Sequence, residues 1–224
     1  FIDVVPQVKT AAKVEQYLYT VISFQTKLNL LNHLLSDKEI FNKLIIFCKS
    51  KKNANRVAEV LQVNYETDGI NVLHGDKTQQ TRVNAINRFR EEQIRILIAT
   101  DVAARGIDVP GVSHVINFDV PLVYEDYIHR IGRTGRAFAS GFSVTFVEPQ
   151  DEWHIKKIQK LAGISIKRLN MPESVEQVQP GKEEIKLREM EIDRQKRKDN
   201  PEFKGAFHER KSKSGKKGRH AGRK

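Results

Sequence analysis

Residues 94–108 have the sequence Ile-Arg-Ile-Leu-Ile-Ala-Thr-Asp-Val-Ala-Ala-Arg-Gly-Ile-Asp, in which an apolar run passes directly into a polar segment. The apolar run is short and rich in isoleucine, a composition typical of a buried strand. Ligands of α/β proteins bind beyond the carboxyl ends of the strands. We therefore predict a ligand site among the residues that follow this strand, namely Thr100, Asp101, Arg105, Gly106 and Asp108.

Apolar runs of this kind alternate with amphipathic segments up to about residue 170. One such segment has Ala54, Val57, Ala58 and Leu61 three to four residues apart, a spacing that predicts a helix. Strands that alternate with helices form βαβ units, whose parallel sheet is covered on both faces. The predicted fold class is therefore α/β, with a three-layer parallel sheet. Its predicted strands are 14–21, 44–47, 70–73, 94–99, 112–118 and 142–147.

The composition favours a polyanionic partner. The 224 residues include 39 Lys and Arg against 28 Asp and Glu, a formal net charge of +11. Such a balance is typical of proteins that bind nucleic acid or an anionic membrane surface. No apolar run approaches the roughly 18 residues that span a bilayer, and no signal peptide opens the chain. The single cysteine, Cys48, excludes an internal disulfide and a cysteine zinc site, which fits a cytoplasmic protein.

The alternating pattern stops near residue 171. Residues 171–224 contain 16 Lys and Arg against 10 Asp and Glu, and 182–198 forms at best a solvated helix. Residues 210–224 contain eight Lys and Arg and no acid, a composition that cannot bury enough apolar surface to fold. We predict a folded domain at 23–170 and a charged, largely disordered basic tail at 171–224. The tail either tethers nucleic acid or is only solvated.

A second polar motif, residues 129–136, has the sequence His-Arg-Ile-Gly-Arg-Thr-Gly-Arg. It begins in a predicted helix with an apolar stripe and ends with Arg133 and Arg136, each preceded closely by a glycine. Two planar guanidinium groups on such a turn suit a phosphate whose charge must be neutralised during transfer. Taken alone, the cluster is equally compatible with a solvated basic surface.

Together, the two motifs resemble motifs V and VI of the DEAD-box RNA helicases. Residues 45–50, Ile-Ile-Phe-Cys-Lys-Ser, resemble motif IV, and His-Gly-Asp at 74–76 with Gln79, Arg82 and Phe89-Arg90 resembles the signature that follows. The resemblance covers about residues 1–165, and the short basic tail resembles those of bacterial members. It implies a RecA-like fold for this helicase C-terminal domain, with residues 1–22 forming the end of the interdomain linker and the first strand.

The resemblance also implies roles for individual residues. In the nucleotide site, Arg136 corresponds to the arginine finger, Arg133 lies beside it, and His129 couples ATP state to the other half of the enzyme. Gly106 and Asp108 correspond to residues that contact the nucleotide and its ribose. The implied contacts to the RNA sugar-phosphate backbone come from Ser50, Gly75, Arg82 and Thr100, so RNA binding is expected to be independent of base sequence.

Other elements of a complete enzyme are missing from the sequence. It has no GxxxxGK[ST] phosphate loop and no Asp-Glu-Ala-Asp motif, so ATP with Mg²⁺ is expected to be held largely by a missing N-terminal RecA-like half. The chain begins at Phe1 and is interpreted as a fragment, inactive in isolation. The predicted function is the C-terminal half of an ATP-dependent RNA helicase that unwinds short duplexes or remodels ribonucleoproteins. The alternative is a non-catalytic RNA-binding scaffold.

Residues 151–154, Asp-Glu-Trp-His, imitate a DExH motif but follow Pro149 and come after motif VI. We interpret them as the start of a helix, because acids in the first turn suit the helix dipole. No histidine has metal-ligand spacing. We therefore predict no metal ligand in this chain. We also predict that its partners do not include a membrane.

Overall fold

The computed structural model describes residues 14–65, 69–105, 107, 109–135, 141–200 and 202. Its centre is one sheet of parallel strands in the order β3-β4-β2-β5-β6-β1-β7. The strands are β1 Val14–Thr20, β2 Leu44–Phe47, β3 Ile70–Leu73, β4 Ile96–Ala99, β5 His114–Asn117, β6 Gly141–Val147 and β7 Lys167–Leu169. Because all pairings are parallel, the strand carboxyl ends meet along one edge of the sheet.

Helices connect these strands, and one further helix follows the last strand. They are α1 Phe24–Ser36, α2 Lys51–Asn64, α3 Gln79–Arg90, α4 Asp101–Ala104, α5 Tyr124–Ile131, α6 Glu152–Ala162 and α7 Lys182–Asp199, with a 3₁₀ turn at Pro149–Asp151. Three of them begin at a hydroxyl residue whose side chain accepts a bond from a backbone N–H of the first turn. These caps are Ser23 for α1, Ser50 for α2 and Thr78 for α3.

Both faces of the sheet are buried under helices, which confirms the predicted three-layer parallel fold. Side chains alternate between the two faces along each strand. In β4, Ile96 and Ile98 pack against apolar side chains of α1 and α2 on one face of the sheet. Leu97 packs against apolar side chains of α3 and α4 on the other face. A third group of buried apolar side chains lies between helices α5 and α6 and the part of the sheet formed by β1 and β6.

The six predicted strands all form, with ends within two residues of prediction. The seventh strand, β7, was missed because its three residues, Lys-Arg-Leu, include no apolar run and two of the three are exposed. It pairs with β1 at the edge of the sheet.

The packed structure continues beyond the domain end expected at residue 170. Val175 is buried in the main core, and the Val178 main chain bonds to Ser23 and Thr26 at the start of α1. Helix α7 is attached by polar groups: the Arg188 guanidinium donates to the carbonyl of Ile22, and the buried Gln195 amide donates to Gln150 O. Periodicity did not reveal these contacts, because hydrogen bonds leave no apolar stripe. Residues 1–13 and 203–224, with the predicted tail segment 210–224, lie outside the described residues.

His114 is buried between two aromatic rings. Its ring centroid lies 4.3 Å from that of Phe41 and 5.2 Å from that of Phe142, and burial lowers the pKa of its imidazole to about 4. The native state therefore binds a proton less readily than the unfolded state, whose histidine pKa is near 6.5.

We expect His114 to make stability pH-dependent. Its contribution is present above pH ~6.5 and is lost as pH falls towards ~4, so wild type should lose about 2 kcal/mol through this group between pH 7.5 and 4.5. Urea unfolding of His114→Phe should show that much less pH dependence, whereas the control His33→Gln, at an exposed position, should match wild type. Parallel pH profiles for wild type and His114→Phe would contradict this assignment.

Candidate nucleotide and RNA site at the carboxyl edge of the sheet

Arg130 is the buried centre of the site. Its side chain is 1% exposed, and its Nε and Nη2 donate to the two carboxylate oxygens of Asp101 at 2.6 and 2.8 Å. Its Nη1 donates to Asn117 Oδ1 at 3.2 Å and to the carbonyl of Asp119 at 2.7 Å. Such a bidentate pair fixes both position and orientation. Arg130 therefore joins the loop after β4, the end of β5 and helix α5.

The local sequence explains why these groups meet. Asp101 starts α4, two residues after Ala99 ends β4, while Asn117 ends β5, so both lie at the carboxyl edge. Helix α5 is anchored by Tyr127 and Ile131, which are fully buried against the sheet. Arg130 lies in the last turn of that helix, with its guanidinium 5.1 Å from the ring centroid of Phe47.

A cleft of about 340 Å³ opens above this pair. Its lining residues are Phe47, Asp101, Ala104, Arg105, Asp126, His129, Arg130 and Arg133. Arg105 and His129 both approach the Asp126 carboxylate, at 3.5 Å from Nη2 and 3.7 Å from Nδ1. The lining thus combines three arginines and a histidine with two aspartates that pair with Arg105 and Arg130, and the rest of the wall is apolar. Positive side chains outnumber negative ones, which suits a ligand that carries negative charge.

Arg133 lies at the junction of the two motifs. Its Nε donates to the carbonyl of His129 at 3.1 Å, and its Nη1 donates to the carbonyl of Ile107 in the loop after α4. The turn that follows passes over the start of β6, where a Cβ on Gly141 would overlap the Gly135 main chain. That close approach holds the end of motif VI against the sheet. Three of the predicted site residues, Gly106, Asp108 and Arg136, lie outside the described residues.

Of the four residues predicted to contact RNA, Ser50, Gly75 and Thr100 follow β2, β3 and β4, and Arg82 lies in the first turn of α3. Ser50 caps α2, and the adjacent Lys51 Nζ reaches the Asp76 carboxylate at 2.7 Å, next to Gly75. Arg82 donates from Nη2 to the carbonyl of Ala103 at 3.2 Å, in the helix that Thr100 begins. The structure thus places them beside the cleft on the same edge.

Comparison with known proteins identifies the domain. The family described as helicase conserved C-terminal domain matches residues 26–138. The DEAD-box ATP-dependent RNA helicase CshA of Bacillus subtilis (strain 168) is 39% identical over 164 residues, 73% of this chain and 32% of that protein. This chain belongs to the DEAD-box RNA helicase family. It spans about a third of the length of the curated relatives it matches, 32% and 38% in two of them.

Solved DEAD-box structures share this RecA-like fold. The E. coli DEAD-box protein SrmB, solved with regulator of ribonuclease activity A, is 36% identical with a TM-score of 0.66, covering 75% of this chain and 97% of that one. S. cerevisiae Dbp5, solved with RNA and ADP BeF3, is 31% identical with a TM-score of 0.63, covering 80% of this chain and 44% of that one.

A buried charge cluster that sequence reasoning missed lies next to the cleft of this helicase domain. Lys27 Nζ is 3.0 Å from Asp119 Oδ1 and 2.6 Å from Glu148 Oε1, and all three side chains are at most 7% exposed. Burial alone would lower the pKa of Lys27, but the two carboxylates outweigh it and raise that pKa. Burial would likewise raise the pKa of Asp119, yet Lys27 and Lys49 bring it down to about 2. The cluster is therefore fully ionised at neutral pH.

The sequence positions of the two acids in this cluster could have revealed it. Asp119 and Glu148 both follow strands at the carboxyl edge, where polar residues deserve notice in any α/β sheet. The sequence contains no such indication for Lys27, because a lysine in the first turn of an amphipathic helix is ordinarily solvated. Its carboxylate partners also support the Arg130 site, since the carbonyl of Asp119 accepts from Arg130.

The DExH-like residues 151–154 occupy a helix start in this helicase domain, as predicted. Asp151 accepts a bond from the Glu148 backbone N–H at 3.2 Å, and burial raises the pKa of its carboxyl to about 6. Ile155 and Ile158 pack in the core beneath α6. Within the described residues, no group of His, Cys, Asp or Glu could hold a metal ion.

Proposed function

We propose that this chain is the C-terminal half of an ATP-dependent RNA helicase that unwinds short RNA duplexes or remodels ribonucleoproteins. The observation that carries the proposal is the bidentate Arg130–Asp101 pair, which locks motifs V and VI around one cleft. The cleft wall carries Arg105, His129 and Arg133. That donor set matches the charge of a polyphosphate.

The nucleotide would be ATP with Mg²⁺, whose metal ligands are expected on the N-terminal half. In this chain, Gly106 and Asp108 would hold the nucleotide, following the family pattern. A Dbp5 structure that contains ADP BeF3 together with RNA supports this assignment by similarity. ATP supplies the phosphoryl group that is transferred to water, and this chain supplies cationic donors around it.

Arg133 and Arg136 would neutralise the charge that develops on the transferred phosphoryl group. Arg133 is held by two main-chain carbonyls, one from each motif, so its position depends on the closed arrangement of both loops. His129, which shares Asp126 with Arg105, would couple nucleotide state to the other half. Closure of the two halves would assemble the site, and hydrolysis would let it reopen.

RNA would lie along the carboxyl edge of the sheet, past Ser50, Gly75 and Thr100 and the first turn of α3, which carries Arg82. Arg82 is partly exposed, and bonds from its Nη1 to Gln79 Oε1 and from its Nη2 to the carbonyl of Ala103 orient its guanidinium there. Contacts to the sugar-phosphate backbone carry no base information, and binding should therefore be indifferent to sequence. The basic segment 210–224 would add an electrostatic tether.

A cytoplasmic location fits the buried, unreactive Cys48 thiol, whose pKa is raised by burial. In the described part of the chain, no helix is long and apolar enough to cross a membrane.

The isolated chain is expected to show no measurable ATP hydrolysis, because the phosphate loop and magnesium ligands are absent from its sequence. The full-length protein should hydrolyse ATP, and RNA should stimulate that reaction. Both proteins would be assayed for phosphate release with and without RNA. The rival function, a non-catalytic RNA-binding scaffold, predicts RNA binding without hydrolysis by the full-length protein, and that result would displace the helicase proposal.

A further inference from the structure

Helix α6 presents a row of cationic and aromatic side chains away from the core. Its residues Trp153, Lys156, Lys157 and Lys160 recur every three to four positions and so share one side of the helix. The three lysines are exposed and the tryptophan is partly exposed. We call these four residues the α6 stripe. The opposite face is fixed, because Ile155 and Ile158 are buried in the core with Leu18 and Val147.

The charge of the α6 stripe is not balanced by its own segment. Residues 153–172 contain five Lys and Arg and no Asp or Glu. The acid just before them, Glu152, pairs with Arg168 at 2.9 Å instead. Like charges one helical turn apart repel each other and destabilise a helix. A bound polyanion would remove that repulsion.

Trp153 gives the stripe a feature that a merely solvated lysine face lacks. Its ring meets His154 and Tyr124 edge-on, with centroids 5.1 and 6.4 Å away, and Lys157 Nζ lies over one face of the ring, 4.9 Å from its centroid. A base would stack on that face by displacing the Lys157 ammonium towards a phosphate. Neighbouring aromatic packing restricts the ring, so little conformational entropy is lost when a planar ligand stacks on it. An aromatic platform beside cations is the combination that binds single-stranded nucleic acid.

We propose that the α6 stripe is a second RNA-binding surface, on which Trp153 stacks with a base and the three lysines contact phosphates. This proposal rests on the RNA-binding function proposed above and extends it to a new site. Ser50 follows β2 and Arg82 lies in the helix after β3, whereas α6 packs on β1 and β6, at the other side of β5. With strands about 4.8 Å apart, β1 is roughly 14 Å from β2 and roughly 24 Å from β3 across the sheet. The stripe would therefore hold RNA that flanks the helicase site.

The single tryptophan of the chain makes the proposal directly measurable, since Trp153 alone contributes indole fluorescence. The complete 224-residue chain would be titrated with a labelled oligouridylate of about twelve nucleotides, following tryptophan emission and label anisotropy together. We expect saturable quenching with the same midpoint as the anisotropy change. Trp153→Leu should weaken binding about tenfold, because a stacked base is lost.

The contribution of the three lysines to RNA binding is tested by removing their charges. The triple variant K156Q/K157Q/K160Q should weaken binding and flatten the log–log salt dependence by about two units, at roughly 0.7 per phosphate contact. The matched control K38Q/K182Q/K186Q removes the same charge from three other exposed positions and should stay near wild type. All substituted side chains are solvent-exposed lysines, and thermal unfolding would verify that each variant folds.

The outcomes separate this inference from the proposed function. If Arg82→Ala weakens RNA binding while RNA leaves tryptophan emission unchanged and the α6 triple variant binds like its control, the second surface is refuted and the helicase function stands. If the wild-type chain binds no RNA, both fail. Equal binding and equal quenching by polyglutamate would also refute the inference, because the stripe would then be a general polyanion surface without base stacking.

Discussion

Replacement of Arg136 by alanine in the full-length helicase is expected to lower kcat about 10³-fold or more, the effect of removing a positioned arginine finger in phosphoryl transfer. Nucleotide binding should change little, because the N-terminal half is expected to hold most of the nucleotide. Arg136→Lys should not restore turnover, since an ammonium group lacks the planar fork of donors. Steady-state hydrolysis at saturating RNA and a separate nucleotide-binding titration would measure the two effects.

Arg168→Ala is the matched control for this experiment. Arg168 lies in the edge strand β7, is exposed and pairs with Glu152, so its loss should leave turnover near wild type. An Arg136→Ala enzyme that keeps half of wild-type turnover would show that the finger is assigned to the wrong residue. In that case Arg133, whose donors already bridge motifs V and VI, would be the next candidate.

Replacement of Arg130 by methionine should destabilise the domain by about 3 kcal/mol or more, the usual result of removing one partner from a buried ion pair. The Asp101 carboxylate would lose its bidentate donor, and Asn117 and the carbonyl of Asp119 would each lose a hydrogen bond. Arg130→Lys should recover part of the stability, because it restores charge without the fork. Urea unfolding of the isolated chain measures these differences without any nucleotide.

The exposed pair between Arg168 and Glu152 again provides the comparison. Arg168→Met should cost at most about 1 kcal/mol, as is usual for surface ion pairs. In a double-mutant cycle, Arg130→Met and Asp101→Asn together should cost much less than the sum of the two single changes. Additive costs would mean that the two side chains do not depend on each other.

The fold was largely predictable because the strands and helices of a parallel α/β sheet have recognisable sequence patterns. Buried strands such as β2 and β4 are continuous apolar runs, and helix starts such as Ser50 carry their own capping signal. The pattern failed at β7 and at residues 171–199. β7 is held by backbone pairing, and α7 is held by polar side chains. Val175 is buried in the core, but it stands alone among polar residues in the sequence and so forms no apolar pattern.

The location of the candidate site was predictable, but the buried polar contacts that hold its residues in place were not. Sequence reasoning placed Thr100 and Arg105 beyond the end of a strand, and the structure puts them there; His129, for which the resemblance implied a role, lines the same cleft as Arg105. It assigned no role to Arg130, although that residue lies inside motif VI, because only coordinates reveal that its guanidinium is turned inward. Lys27 and Gln195 were missed for the same reason: burial of a long polar side chain depends on partners far away in sequence.

The polar attachment of α7 has a consequence for how the domain opens. Three of its four large apolar side chains, Ile185, Leu187 and Met190, are 39%, 66% and 61% exposed and the fourth, Ile192, is only partly buried, while Arg188 and Gln195 face the domain. Release of the helix would therefore expose little new apolar surface. The heat-capacity change and the denaturant dependence of such a release scale with that surface and should both be small. Calorimetry would barely register the event, whereas amide hydrogen exchange would resolve α7 as a separately opening unit on an otherwise closed domain.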